Sequence, residues 1–401
     1  MKKSSAIFLV GFMVLFTILA GCSPQVKETG SASTSDPVDS KGQDTFNIGL
    51  AISMSGGTAL FGEGVKRGVD LAVKEFNDAG GFEGQQANLI LYDDEAKPEK
   101  SIEIVQKLIN QDNIVALVGP ANSGNAMAHI PFVQEAKIPE VVPVATGTKI
   151  TQEYKDADKN YIFRVAPLDG VQVSAILKEL IDKQGLTKLG VIHDTEGYGQ
   201  GGREDILKQM KENYNMEPTV ISAFDPKELN LEPSIREMNN AGVEAVVFYG
   251  LAPQSAKLLE ARFNEGLDAP IYATWATGDP TVLNLVGDLV KDDLYFVQSY
   301  TIDQNEVAKK FHQKVVDTYG EDVFPIATAQ GYDSAKLILD AIKKVGLDSE
   351  KIRDQIESFT DFEGVTAIKS TPFTKENHEA FGIDEVFIAT YNDDLQIISA
   401  E

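Results

Sequence analysis

Short apolar runs of strand length alternate with amphipathic helical stretches along most of this chain, and that alternation restricts the fold more than any other feature. Residues 46–52 (FNIGLAI) read as a strand, 64–79 as a helix and 87–92 (ANLILY) as a second strand ending at Asp93 and Asp94. Pro98 opens a helix to Gln111, 114–118 (IVALV) reads as a buried strand, 123–137 as a helix and 141–144 as a strand. Such a run predicts a parallel sheet with helices on both faces, because each parallel crossover needs a helix-length return.

The pattern then starts afresh. Strands are expected at 161–165, 188–193, 219–224, 245–249 and 270–274, with helices near 171–184, 201–214, 231–241 and 253–264. Two successive doubly wound sheets of similar size predict an α/β protein of two similar lobes. Its ligand site should lie beyond the carboxyl ends of the strands, where lobe faces lobe. The chain beyond Thr45, about 355 residues, also exceeds the usual size of one compact core. From Leu294 onward, helices (306–319, 326–345, 349–359) mix with late strands (385–390, 395–399). A tail of this kind can return to both lobes and make a stiff hinge of several crossovers.

The amino terminus is different in kind. Lys2 and Lys3 precede an apolar run over 6–20, the charged and hydrophobic regions of an export signal over 1–21. At about 1.5 Å per residue the run is too short to span a bilayer comfortably, which takes ~20 apolar residues. It ends in Leu19-Ala20-Gly21-Cys22, and small residues before a cysteine suit a signal peptidase. This pattern resembles the bacterial lipobox, whose cysteine becomes the lipidated first residue of the mature protein. The alternative is an anchor helix in which Cys22 is incidental. Cys22 is the only cysteine among 401 residues, so an internal disulfide or a CxxC metal site is excluded. Residues 22–45 carry almost no large apolar side chains and read as a disordered tether, which would hold a globular body near a membrane yet leave it free to rotate.

The formal net charge of −25, spread along the chain, argues against nucleic acid or anionic lipid as a partner surface. Its plain reading is solubility outside the cell.

Several short motifs follow one another in order: Ala51-Ile52-Ser53-Met54-Ser55-Gly56, Phe61-Gly62, Asp78-Ala79-Gly80-Gly81, Tyr92-Asp93-Asp94, Val118-Gly119-Pro120, Val142-Pro143-Val144-Ala145-Thr146, and His193-Asp194 with Tyr198-Gly199. Together they resemble the leucine/isoleucine/valine-binding protein family, the type I periplasmic binding proteins of ABC transporters. The resemblance implies a first lobe of 46–167 with 300–358 and a second of 168–299 with 359–401.

It also implies a ligand site. The loop 119–125 leads into a helix whose N-terminus offers unpaired N–H groups and partial positive charge to a carboxylate. Asn122 and Ser123 match the family's polar contact there; serine is common at position 122, and an amide still donates. Val144 matches a residue that binds through its backbone, with Ala145 beside it, and Thr146 matches the hydroxyl that holds the ligand's head group. Phe61 matches a covering aromatic, Tyr198 a tyrosine that closes over the ligand, and Tyr249 or Gly250 ends a strand facing the cleft. One position departs from the family. Its amino-acid binders hold the ligand ammonium with an acid after the strand at 271–274, because an unpaired ammonium in a dry cleft is costly. Trp275 stands there, with Asp279 four residues on. Either Asp279 substitutes, or the ligand has no simple ammonium and Trp275 stacks on it or cradles a cation; Trp275 also fits a core position under a loop.

Other motifs read more plainly. Gly62-Glu63-Gly64 with Gly68 lies roughly ten residues past the strand end, too far for a dinucleotide loop, and reads as a cleft loop with a helix start. Gly197, Gly199, Gly201 and Gly202 lack the spacing and lysine of a P-loop and read as flexible backbone beside Tyr198. Asp93, Asp94 and Glu95 have no oxygen-ligand spacing after them, so no metal is expected. His129, His193, His312 and His378 show no metal pairing, and His193 and Asp194 should point to opposite faces of a strand. No GxSxG elbow appears. Neither a cofactor nor an enzyme is expected.

The expected function is therefore capture of a small molecule, an amino acid or a relative of one, by a monomer outside the cell. The ligand docks on Asn122, Ser123, Val144 and Thr146, and the second lobe closes with Tyr198 and Trp275, which shifts the population toward the closed form. ABC permease subunits would then receive it. A sensor of the same fold, or a binder of an amide, aromatic acid or quaternary amine, is the alternative, and an NAD-dependent enzyme would betray itself by cofactor absorbance.

Overall fold

In the computed structural model, residues 44–400 are described apart from 228, 367 and 368; the expected export signal, Cys22 and nearly all of the expected tether lie outside them. Five strands form the first sheet: β1 (Thr45–Ile52), β2 (Gln86–Asp93), β3 (Ala116–Val118), β4 (Glu140–Val142) and β5 (Ile162–Arg164). Their order is β2-β1-β3-β4-β5 and every pairing is parallel. The period of two in β1 sorts its side chains. Ile48, Leu50 and Ile52 join the core with α1 (Ala59–Asp78) and α11 (Pro325–Val345). Ala51 faces the other way, toward α2 (Pro98–Asn110) and α3 (Ser123–Ala136).

The second sheet contains β6 (Leu189–Asp194), β7 (Val220–Phe224), β8 (Ala245–Tyr249), β9 (Ile271–Ala273), β10 (Leu294–Gln298), β11 (Phe387–Tyr391) and β12 (Ile397–Ser399), in the order β12-β11-β10-β9-β8-β6-β7. Leu189 and Val191 pack with α5 (Asp169–Leu177) and α6 (Gly197–Tyr214). Ile192, Val246 and Phe248 pack with α7 (Glu232–Ala241) and α8 (Ala252–Glu265). The short helices α4 (Lys149–Gln152) and α9 (Pro280–Val286) follow β4 and β9. Two α/β lobes result, each with helices on both faces of its sheet.

The structure corrects the sequence reading in four places. The strand expected at 161–165 does not begin the second run; β5 pairs with β4 and closes the edge of the first sheet. The second sheet is not wholly parallel, because β11 runs antiparallel to β10 and β12 antiparallel to β11. Gly62, Gly64 and Gly68 lie inside α1, not in a cleft loop. A Cβ on Gly68 would sit 2.0 Å from the Thr328 carbonyl oxygen and one on Gly64 2.9 Å from Ala327 Cβ, so these two let α1 and α11 approach closely, while Gly62 makes room for the Ser53 carbonyl. Likewise Gly197 to Gly202 form the first turns of α6. A Cβ on Gly202 would lie 2.1 Å from the Tyr249 ring, so its bareness serves packing and not flexibility.

The chain passes between the sheets after β5, after β10, and between α12 (Ser349–Glu357) and β11. α10 (Glu306–Tyr319) and α12 belong with the first sheet: Phe311 packs on Tyr332 of α11 with ring centroids 4.9 Å apart, and Arg353 Nε donates to the Asn160 carbonyl at 2.8 Å. The last passage is pinned by a buried ion pair. Arg164, with no exposure, gives Nε to Glu379 Oε2 at 2.7 Å and Nη2 to Oε1 at 2.5 Å, a two-pronged geometry that offsets part of the cost of burying both charges.

Candidate functional site

Between the lobes, beyond the carboxyl ends of the strands, lies a narrow cavity of about 20 Å³. Phe61, Asn122, Ser123, Val144, Thr146, Tyr198 and Trp275 line it, together with Thr58, Ala121, Leu251 and Ala276. The last four were not singled out from the sequence. Thr58 precedes α1, Ala121 precedes Asn122 and Leu251 follows the end of β8, so the strand-end rule was the signal that could have found them.

The first-lobe wall is made largely of main chain. Asn122 caps α3, its Oδ1 accepting from the N–H of Gly124 at 2.8 Å and of Asn125 at 3.4 Å. The cap leaves the Ser123 N–H as a first-turn donor with no protein partner among the described residues. Ser123 Oγ accepts from the Gly147 N–H at 3.1 Å and so keeps its own proton for another acceptor. Among the described residues the N–H and C=O of Val144 and the N–H of Thr146 have no hydrogen-bond partner either. Both residues are buried, and buried backbone polar groups are rarely left unpaired. Arg164 holds this loop from behind, with Nη1 donating to the carbonyls of Gly147 at 2.8 Å and Ala145 at 3.3 Å. Ala145 thus turns away from the cavity into the core beneath.

The second-lobe wall is made of side chains. Tyr198 donates its hydroxyl to Thr274 Oγ1 at 2.6 Å, and the Trp275 N–H is held by Gln172 Oε1 at 3.0 Å. Trp275 meets Phe61 edge-to-face at 5.1 Å between centroids, and Phe61 meets Phe324 at 4.6 Å. Trp275 is therefore both a core side chain, 2% exposed, and a lining one.

Besides Ala145, three expected residues lie elsewhere. Tyr249 sits behind Tyr198, with ring centroids 5.3 Å apart, and Gly250 sits against Phe248 and Phe224. Neither lines the cavity. Asp279 caps α9 through the Thr281 N–H at 2.7 Å and borders a separate depression with Met54 and Glu63. Its spacing from Trp275 spends the carboxylate on a helix end.

The acid behind the cavity is Asp169, the first residue of α5. It has no exposure, its Oδ2 has no partner, and the hydroxyls of Thr146 and Tyr249 lie beside it. Burial pushes its carboxyl up to about 7, opposed by the Thr146 hydroxyl and aided by Asp205. It also pushes the Tyr198 hydroxyl upward, after the larger effect of burial. Sequence reasoning missed Asp169, because only the chain crossing after β5 sets it beside Thr146.

Groups that suggest chemistry are otherwise engaged. His193 Nδ1 pairs with the Asp194 carbonyl at 2.7 Å, while the Asp194 carboxylate accepts from the N–H groups of Glu196 and Gly199. Ser101 Oγ, His129 and Glu140 form a chain with both contacts at 2.7 Å, the connectivity of a hydrolase triad. All three have no exposure, so no substrate reaches them. Among the described residues no group of three His, Cys, Asp or Glu is placed to hold a metal ion, and no helix is long and apolar enough to cross a membrane.

Comparison with known proteins agrees with this geometry. Residues 45–395 match the family model described as "Periplasmic binding protein". A leucine-, isoleucine-, valine-, threonine- and alanine-binding protein of Pseudomonas aeruginosa is 26% identical over 322 residues, covering 79% of this chain and 83% of that one. The substrate-binding protein LivJ of Streptococcus pneumoniae, solved with isoleucine, superposes with a TM-score of 0.76 at 24% identity, covering 89% of this chain and 99% of that one. A solute-binding protein of Rhodopseudomonas palustris, solved with 3,4-dihydroxybenzoic acid, superposes with a TM-score of 0.74 at 22% identity, covering 89% and 96%. With two α/β lobes meeting over a cavity of unpaired main-chain groups, and a family match running nearly from one end of the described residues to the other, the chain belongs to the periplasmic binding protein family.

Proposed function

We propose that this protein is an extracytoplasmic, lipid-anchored solute-binding protein that closes its lobes over a small amino acid or related ligand and delivers it to the permease subunits of an ABC importer. The lobes are bounded at 46–167 with 300–358 and at 168–299 with 359–401, and the anchor is Cys22.

One observation carries the reading: the unpaired Ser123, Val144 and Thr146 main-chain groups face an aromatic second-lobe wall in a cavity that both lobes line. A carboxylate suits the Ser123 N–H and hydroxyl and the Thr146 N–H, and an ammonium suits the Val144 carbonyl. Asp169, behind Thr146, supplies the negative charge missing at Trp275. The cavity is narrow, so the lobes part to admit a ligand and close on it. Contacts between the lobes favour that closure, since Thr148 Oγ1 donates to Asp205 Oδ2 and Lys149 Nζ pairs with Glu204, each at 2.7 Å.

A second reading has support of its own. No carboxylate lines the cavity, and Phe61, Tyr198 and Trp275 surround it, which suits an aromatic carboxylate without an ammonium, the kind of molecule bound to the Rhodopseudomonas relative. A thermal-shift screen over amino acids, amides, aromatic carboxylates and quaternary amines separates the two. A saturable rise in Tm with leucine or valine supports the first; a rise with 4-hydroxybenzoate alone supports the second; no rise with any class contradicts both.

A further inference from the structure

A second cavity, of about 340 Å³, lies beyond the aromatic wall, and nothing in the proposed capture of a solute uses it. Phe324 stands between the two: its ring packs on Phe61, which lines the narrow cavity, and it lines the larger one. The larger cavity is about twice the volume of an engineered cavity that holds benzene. Its body is apolar, from Pro280, Ile302, Pro325, Ile326, Ile397 and Ile398. Its walls come from the end of β10, from β12 and from the start of α11, which packs against the first sheet; an occupant would thus touch both lobes where the chain passes from the second to the first.

Two buried polar side chains in its lining have unmet hydrogen-bonding capacity. Gln298 is 2% exposed and its Oε1 has no partner; Tyr300 is 4% exposed and its hydroxyl has none. Such groups are costly to leave unpaired, so the pair marks a place for a polar head. Gly278 makes room for the Gln298 amide, since a Cβ there would lie 2.1 Å from its nitrogen. A side-chain amide offers both donor and acceptor, and the group that answers both at once is another amide. An anionic head is disfavoured, because Asp303 lies in the lining and Asp322 and Asp333 lie close enough to act on Tyr300.

We propose that this cavity is a second small-molecule site, for an uncharged primary carboxamide carrying an apolar body, with the head on Gln298 and Tyr300 and the body among Ile302, Ile326 and Ile397. Occupancy of a site walled by both lobes selects the arrangement in which those walls meet.

The probes are 4-phenylbutanamide and its carboxylate, 4-phenylbutanoate, titrated by calorimetry into the whole protein with and without saturating leucine. The amide is expected to bind one per chain, at least about tenfold more tightly than the carboxylate, and to keep binding when leucine is present. Gln298→Leu is expected to weaken it by about tenfold, the loss of one or two buried hydrogen bonds, and Tyr300→Phe by a smaller factor. Ile302→Trp, at a position 39% exposed and so tolerant of bulk, should block the cavity without lowering Tm. No saturable binding of the amide, a preference for the carboxylate, competition by leucine, or unchanged affinity in both Gln298→Leu and Ile302→Trp would overturn the proposal.

Discussion

The two walls of the cleft are built on opposite plans. The first-lobe wall presents backbone: the Ser123 N–H, the Val144 carbonyl and the Thr146 N–H, held in place from behind by the Asn122 cap and the Arg164 guanidinium. The second-lobe wall presents side chains: Tyr198 and Trp275, held by Thr274 and Gln172, with Leu251 beside them. Main-chain donors recognise a head group common to many ligands and cannot be changed by a single substitution. Aromatic side chains can be changed one at a time. The contrast assigns the shared head group to the first lobe and ligand choice to the second, and substitutions can break or sharpen it.

The largest effect is expected where the first wall is braced. Arg164→Ala leaves Glu379 buried without its partner, and a loss of about 3–5 kcal/mol in chemical denaturation is expected, with ligand binding abolished. Trp275→Ala should cost nearly as much stability, about 3–5 kcal/mol, by opening a hole against Phe61. Unlike the first variant it should retain weak binding with altered ligand preference in the thermal-shift screen. Gly202→Val drives a methyl group into the Tyr249 ring behind Tyr198, and a loss of up to about 3 kcal/mol is expected by the same assay. Asn122→Ala removes the helix cap, which should cost about 1 kcal/mol, together with a side chain of the lining; because main chain holds the head group, calorimetry is expected to find the order of ligand preference unchanged. Disrupting the exposed Lys149–Glu204 pair with Lys149→Ala should change affinity by no more than about fivefold, since exposed ion pairs contribute about 0–1 kcal/mol.

The sequence carried the first wall better than the second. The β1 alternation, the strand at 245–249 and the helix at 306–319 were legible because period and end signals are local. Asn122, Ser123, Val144 and Thr146 were singled out by the family resemblance, and each comes shortly after the end of β3 or β4. What failed needed a partner distant in sequence. The glycines of α1 and α6 read as loops because only the close approach of Thr328 and Tyr249 explains them. The strand at 161–165 looked like the start of a new run because its pairing with β4 is not written in its composition. β10 passed unnoticed as a short apolar stretch at the head of a mixed tail. Asp279, four residues beyond Trp275, spends its carboxylate on the α9 cap, whereas Asp169, distant in sequence, lies beside Thr146 of the cavity lining.

Asp169 lies behind the cavity, beside Thr146 and Tyr249, and its titration carries a sign. An ordinary aspartate in the unfolded chain ionises near about 3.9, whereas burial holds this carboxyl protonated to about 7. The folded state thus keeps a proton the unfolded state has lost, so the stability this group contributes is full below about 4 and is lost as pH rises to about 7. Asp194, pushed up to about 7 by its own burial, acts in the same window, so only the difference between wild type and Asp169→Asn isolates the effect. Binding of an ammonium needs the carboxylate, and has the opposite dependence.

The most direct test is therefore a calorimetric titration with leucine between pH 5 and pH 8.5, on wild type and Asp169→Asn. Affinity in the wild type is expected to rise up to about tenfold per pH unit and level off above about pH 7, with proton release below that point. The variant should bind at least about tenfold more weakly at pH 8, with most of that slope gone. Leucine affinity that is independent of pH, or equal in the two proteins, would contradict a cleft that holds a zwitterion between the Ser123 helix end and Asp169.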